Sequence, residues 1–260
     1  MEKVIPKIIY EDECVLVVDK PAGMIVNRAD TTKNVETLQG WVESKFPISN
    51  FQFPIDERNK DFVERVGIVH RLDKETSGLL IVAKDLESFE NLQAQFKSGK
   101  VEKTYIALVH GKVIPAEGEI NVPVGRVPWD RRRFGVVLEG KESRTLYKVL
   151  DCKTLRSGKK EEILTLVEVY PKTGRTHQIR VHFRYIGNPI FGDELYAGRK
   201  NMKSDRKLLP RHFLHAAKIK FFHPVRYASA SVAGGPKTNE IIQLESSLPK
   251  ELSDFLSKLE

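Results

Sequence analysis

HRLDKETSGLLIVAK (residues 70–84) changes character midway. Its first part, through DKETSG, consists of turn formers. Its second, GLLIVAK, is a short continuous apolar run. Such a run bounded by turn residues predicts a strand buried on both faces. One carboxylate, Asp73, stands between Arg71 and Lys74 just ahead of that strand. Two readings are open. Asp bonds nearby backbone amides readily, so Asp73 can simply shape the turn. Alternatively, a rigid strand holds it and basic neighbours favour its ionised form, as a working carboxylate requires.

The flanking sequence repeats this alternation of turns and short strands. KIIYEDECVLVVDKPAG predicts two strands around an acidic turn, closed by a Pro/Gly turn. VETLQGWVESKF looks helical, and the polar stretch 49–65 looks like a loop or insertion. DLESFENLQAQFKSG carries Leu86, Phe89, Leu92 and Phe96 at helical spacing, with Asp85 suited to cap its start and Gly99 its end. KTYIALVHGKV reads as a strand, and the region from Gly118 to Tyr170 is mostly strand-like. RTHQIRVHFRYIG places Ile179, Phe183 and Ile186 on one helical face, with Gly187 at its end. GRKNMKSDRKLLPR reads as a basic loop, and SSLPKELSDFLSKLE as an amphipathic closing helix. Many strands and few helices, without regular βαβ alternation, predict an α+β fold on a mixed, largely antiparallel sheet. No repeat or linker divides the chain, so a single domain over 1–260 is expected.

Composition bounds the function. The 260 residues are 40% hydrophobic, enough for a sizeable core. No apolar run approaches the roughly 20 residues that span a bilayer, and the N-terminus shows no export or transit pattern. Two distant cysteines, Cys14 and Cys152, suit a reduced, cytoplasmic setting. Lys plus Arg number 43 against 35 Asp plus Glu, a net charge of +8 that suits an anionic partner such as nucleic acid.

Several motifs fail. GVVLEGKE (135–142) approaches a phosphate-binding loop, but Glu142 stands where a hydroxyl is required. Asp19 follows an apolar strand as a phosphotransfer aspartate does, but Pro21 stands where a second acid would help; it is taken as a turn residue. His177 and His182, and His212 and His215, lack nearby acids or cysteines to complete a metal set.

GIVHRLDKETSGLLIVAK resembles the catalytic-aspartate motif of the RluA-type family of RNA pseudouridine synthases. VVDKPAGMIV (17–26), KTYIALVHG (103–111), YPKTGRTHQIRVHF (170–183), GNPIFGDELY and FLHAAKIKFFHP resemble further family motifs, in order along the chain. The resemblance implies the family's fold around an RNA-binding cleft, and isomerisation of uridine to pseudouridine in structured ribosomal or transfer RNA. It implies neither cofactor nor catalytic metal. It makes Asp73 the catalytic aspartate, Tyr105 the tyrosine on the target base, and Arg180 the arginine paired with Asp73. Arg71 would replace the flipped nucleotide in the stack.

These roles make chemical sense. The reaction breaks an N-glycosidic bond, turns the base and makes a C–C bond. A carboxylate can attack the sugar or take a sugar proton, and a nearby Arg keeps it ionised. On a helix, His177 and Arg184 fall at i−3 and i+4 from Arg180, giving one basic face. VGRVPWDRRRF mixes Arg126, Arg131, Arg132 and Arg133 with Trp129 and Phe134, a pattern suited to backbone contact with base stacking. The first motif begins near residue 8, so no separate N-terminal RNA-binding module is expected. A monomer is expected, without a membrane or small-molecule partner. Two rivals stay open: an inactive RNA-binding module on the same scaffold, and an unrelated aspartate-dependent hydrolase or phosphotransferase.

Overall fold

The computed structural model describes residues 5–28, 35–46, 56–130, 133–157, 160–224 and 240–260. The strands are β1 (Lys7–Glu11), β2 (Val15–Lys20), β3 (Ser77–Ala83), β4 (Glu102–His110), β5 (Glu117–Asn121), β6 (Val124–Arg126), β7 (Phe134–Val136), β8 (Arg144–Ser157), β9 (Lys160–Pro171), β10 (Leu214–Phe222) and β11 (Ile241–Glu245). The helices are α1 (Leu38–Lys45), α2 (Lys60–Arg65), α3 (Leu86–Lys97), α4 (Gln178–Tyr185), α5 (Arg199–Leu208) and α6 (Lys250–Leu256). The chain forms two compact units, one of residues 1–102 with 218–246, the other of residues 103–217 with 247–260. The sheet structure is mixed and mostly antiparallel, and with the helices gives the expected α+β fold. Among the described residues no helix is long and apolar enough to cross a membrane.

In the first unit β1 and β2 form an antiparallel hairpin, and β2 pairs antiparallel with β3 from Val15↔Ala83 to Lys20↔Gly78. Every residue of β3 is buried, as its unbroken apolar run predicts. Asp12 shapes the hairpin turn: its Oδ1 accepts the N–H groups of Cys14 and Val15, each at 2.7 Å. Asp85 caps α3 by accepting from Ser88 N–H at 2.8 Å, and Gly99 follows the helix at φ +72°. Phe89 and Leu92 of α3 pack with Val15, Val17, Leu79 and Ile81 in one core. Gly67 is required by space as well as by its φ of +73°: a Cβ there would stand 2.0 Å from the Ala83 carbonyl oxygen.

Two expectations are corrected in this unit. Asp19 is not a turn residue; it lies within β2 and accepts from the Ser246 hydroxyl at 2.6 Å. Part of the polar stretch 49–65 is helix rather than loop. Lys60–Arg65 form α2, and Arg58 ties its approach to α3 through a two-point pair with Glu90 at 2.8 and 2.9 Å. Residues 49–55 of that stretch lie outside the described residues.

In the second unit the strand order is β4-β9-β8-β5. β8 and β9 form a long antiparallel hairpin with a bulge between Val149 and Asp151. Leu108, Leu164, Phe191, Phe213, Leu252 and Phe255 build this unit's core, with the Phe191 and Phe255 rings stacked. β6 and β7 form a separate small hairpin. The stretch read as a basic loop is instead largely the helix α5.

Candidate active site

The loop before β3 is built from main-chain hydrogen bonds. The carbonyl of Asp73 accepts the N–H of Thr76 at 3.1 Å, so Asp73 opens a tight turn that runs straight into the buried strand. Its neighbours alternate: Leu72 is buried, Arg71 exposed, and Asp73 half-buried. His70 is fixed by Nε2, which accepts the N–H of Ile81 at 2.9 Å, and by its ring against Phe96. The imidazole is therefore neutral, with Nε2 as its acceptor.

A buried lysine fastens this turn to the end of β2. Lys20 is fully buried, and its ammonium donates to the carbonyls of Pro21 and Met24, each at 2.9 Å, and of Lys74 at 3.3 Å. Three carbonyl dipoles thus compensate its charge. The Lys74 carbonyl also accepts from Gly23 N–H at 2.8 Å. Both motifs of this unit, VVDKPAG and HRLDKETSG, meet at one residue beside Asp73.

The second unit carries the other predicted residues. Arg180, on α4, is buried and forms a two-point pair with buried Asp193: Nε to Oδ2 at 2.7 Å and Nη2 to Oδ1 at 2.8 Å. Asp193 Oδ1 also accepts from the N–H groups of Leu195 and Tyr196. Burial pushes the Asp193 carboxyl toward neutrality, but Arg180, with His212 and the Leu195 N–H, outweighs it and holds the group below the usual carboxylate range. The Arg180 guanidinium also lies 5.0 Å from the Tyr196 ring centre.

His177 is corrected in its position. It is not a helical residue at i−3 from Arg180 but the residue preceding α4, in the left-handed conformation at φ 57°. A non-glycine residue there carries about 1–2 kcal/mol of strain. It is held by a 2.9 Å hydrogen bond between Nδ1 and the Tyr196 hydroxyl and by edge contacts with Tyr196 and Phe134. Gln178 locks the same turn, accepting from Thr173 Oγ1 and Arg175 N and donating to Arg144 O and Thr145 Oγ1. Arg184 is exposed one turn beyond buried Arg180, so the two do not form a single exposed basic face.

The β6–β7 hairpin brings Arg126 and Arg133 to this cluster. Arg126 lies over Phe134 at 5.0 Å, and Arg133 lies over Tyr196 at 5.6 Å while donating to the Leu195 carbonyl. Trp129 stands 86% exposed. Arg131 and Arg132 lie outside the described residues. Tyr105 is buried on β4, paired in register with Val169 of β9. Lys103, two residues earlier on the same strand face, has its ammonium pKa pushed down to about 8, by burial first and then by Lys172.

Among the described residues one group of three side chains could hold a metal ion: Asp12, Cys14 and His223. Asp12 is already committed. Its Oδ1 serves the hairpin turn, and its Oδ2 accepts from the Tyr10 hydroxyl and lies 2.7 Å from His223 Nε2. The group works as a clasp on the β1–β2 hairpin.

Residues 14–185 match the family model described as RNA pseudouridylate synthase. The chain belongs to this family. It is an RNA pseudouridine synthase, an isomerase. The chain is 36% identical over 252 residues to a Bacillus subtilis protein named uncharacterized RNA pseudouridine synthase YlyB, covering 97% of this chain and 72% of that one. It is 35% identical over 256 residues to ribosomal large subunit pseudouridine synthase D of Nitrosomonas europaea, covering 97% and 65% respectively. This pseudouridine synthase therefore spans about two-thirds to three-quarters of the length of these relatives. A solved structure, human RNA pseudouridylate synthase domain containing 1, shares the fold at a TM-score of 0.69 and 24% identity, covering 98% of this chain and 90% of that one.

Sequence reasoning missed Lys20, Asp193, Gln178 and Tyr196 in this synthase. All four did lie within motifs quoted for the family resemblance, and that was the available signal.

Proposed function

We propose that this synthase isomerises uridines in structured ribosomal RNA, with Asp73 as its catalytic carboxylate. One observation carries the assignment: Asp73 opens a turn fastened by a buried lysine and running into a fully buried strand, so the main chain that carries the carboxylate is held by rigid structure on both sides. A catalytic group must be held in this way for the barrier to fall. Ribosomal RNA is favoured over transfer RNA because several relatives bear the name ribosomal large subunit pseudouridine synthase D.

In this reading Asp73 acts on the sugar, either forming a bond to it or taking a proton from it, while the N-glycosidic bond breaks. The base turns and its C5 bonds to the sugar carbon as the Asp73–sugar bond breaks, or as Asp73 returns the sugar proton, and the C5 proton leaves with Tyr105 taking part in the transfer. Arg180 is the catalytic arginine of this reading, and Asp193 fixes its guanidinium. Arg71, exposed two residues before Asp73, fills the place of the flipped nucleotide and offsets part of the few kcal/mol that flipping costs. Arg126, Trp129, Arg131, Arg132, Arg133, His177 and Arg184 contribute to the RNA surface.

The test is tritium release from C5-labelled uridine in bulk ribosomal and transfer RNA. Asn keeps the size and turn-forming ability of Asp but not its charge. Asp73→Asn should lower turnover by at least roughly 10⁴, about 5.5 kcal/mol of barrier, with RNA binding retained. Wild-type release by a folded Asp73→Asn variant would overturn the assignment.

A further inference from the structure

α5 is a helix that its own sequence disfavours. Arg199 and Lys200 sit in its first turn, at the positive end of the helix dipole, with no acid there. Gly198, which precedes it, supplies no side-chain cap. Arg199 with Lys203, and Lys203 with Lys207, place like charges at i,i+4. Leu209 follows in extended backbone.

The rest of the unit holds the helix in place. Asp205, the buried residue of α5, accepts at Oδ2 from the N–H of Gly192 at 3.0 Å and lies 3.0 Å from His110 Nε2. His110 is tied at its other nitrogen to Glu162 at 2.6 Å. Gly192 immediately precedes Asp193, the partner of Arg180. The helix is therefore moored one residue from the carboxylate that fixes the candidate catalytic arginine.

Its outward cations are unused. Arg199, Lys200, Lys203 and Lys207 are all exposed, and none forms an ion pair among the described residues. Elsewhere in this unit many exposed cations face acids: Arg144 pairs with Glu119, Lys148 with Glu117, and Arg156 with Glu161 and Glu260. Four unpaired cations within nine residues span about 12 Å at 1.5 Å per residue.

We propose that α5 is a phosphate-binding element for the RNA substrate, laying Arg199, Lys200, Lys203 and Lys207 along its backbone. The proposal rests on the reading of this chain as an RNA-modifying enzyme and adds a surface to it. A polyanion relieves what the sequence leaves unbalanced, namely like charges in register and cations at the wrong dipole end. The contacts are to phosphate, so they add affinity and register rather than sequence choice.

The test is the full chain carrying Arg199→Gln, Lys200→Gln, Lys203→Gln and Lys207→Gln, titrated with deproteinised ribosomal RNA at several salt concentrations. Each phosphate contact contributes about 0.7–0.9 to the slope of log affinity against log salt, so the variant should flatten it by about 3. Affinity at low salt should fall on the order of 10–100-fold, and tritium-release kcat/KM should fall with it. The melting temperature should stay level or rise, because repulsion has been removed. A control with Lys97→Gln, Lys112→Gln and Lys258→Gln should keep nearly the wild-type slope. An unchanged slope in the α5 variant overturns the proposal, as does equal flattening in the control or a melting temperature lowered by several degrees. So does loss of binding to phosphatidylserine vesicles without loss of RNA binding. Wild-type tritium release reports separately on the enzymatic reading: its absence, with the α5 slope difference intact, would remove that reading and leave the RNA surface standing.

Discussion

Arg180 and Asp193 are joined by two parallel hydrogen bonds of 2.7 and 2.8 Å, with both side chains buried. Such a pair is weak support for net stability, because both ions lose their water. Breaking it is another matter, since one charge stays buried alone. Asp193→Asn is expected to lower unfolding free energy by about 3–5 kcal/mol. Urea titration measures this, and a loss below about 1 kcal/mol would show that the arginine finds other compensation. The carboxyl is held below its reference value of 3.8, so the pair's contribution is present above that pH and is lost as pH falls further.

Lys20→Met removes an ammonium that serves three carbonyls while leaving a side chain of similar length. The Pro21, Met24 and Lys74 carbonyls then lose a buried donor. A cost of about 2–3 kcal/mol is expected from the lost charged hydrogen bonds. Because Lys74 follows Asp73, tritium-release turnover should fall well beyond the change in RNA affinity. Equal losses in both would mean that Lys20 serves folding generally rather than the Asp73 turn.

His110 lies between two carboxylates, Glu162 and Asp205. Burial disfavours its charge, but the two acids outweigh burial and raise its pKa above 6.5. A raised pKa in the folded state contributes stability that is fully present below the unfolded value and is lost as pH rises through the folded one. The gap in melting temperature between wild type and His110→Gln should therefore be widest below pH 6.5 and narrow at higher pH. Glu162→Gln removes one acid and should move the narrowing to lower pH. A gap independent of pH would show that the imidazole acts only through packing.

These residues also show where the sequence was legible. β2 and β3 could be read because strands covered on both faces need unbroken apolar runs, which leaves a plain signal. α3 could be read from Asp85, Gly99 and the spacing of Phe89 and Leu92. α5 could not, because its buried anchor is an aspartate and its helix is sustained by distant partners rather than an apolar stripe. The left-handed His177 was hidden as well. Nothing local requires it, and it is held by Tyr196, which lies 19 residues later. The roles of Lys20 and Asp193 became visible only when the fold gave each buried charge its partners.

Trp129 is 86% exposed, and removing it uncovers little core. Trp129→Ala should leave the melting temperature nearly unchanged. If the ring stacks on an RNA base, affinity should fall by about 1–3 kcal/mol, roughly 5–150-fold, with the salt slope unaltered. A flattened slope would instead point to displacement of the neighbouring arginines, and unchanged affinity would remove Trp129 from the RNA surface.

Tyr105→Phe separates ring from hydroxyl. The ring is buried on β4 in register with Val169, and phenylalanine fits that strand with the same packing. Folding and RNA binding should therefore be close to wild type, with the melting temperature within a few degrees. The hydroxyl is a different matter if it takes part in moving the C5 proton. General acid–base groups contribute roughly 10²–10⁴ in rate, so turnover should fall within that range. Two labels locate the loss. Tritium release from C5 reports the proton step, and formation of pseudouridine, scored by nuclease digestion and chromatography, reports completion. If Tyr105 acts on the proton, both should slow together, and deuterium at C5 should slow the variant more than the wild type. If only the ring matters, by stacking on the uracil, Tyr105→Phe should turn over at the wild-type rate while Tyr105→Leu loses activity. That outcome would leave Tyr105 at the base and require another group to accept the proton. Lys103, on the same face of β4 with its pKa pushed down to about 8, is the candidate the structure supplies.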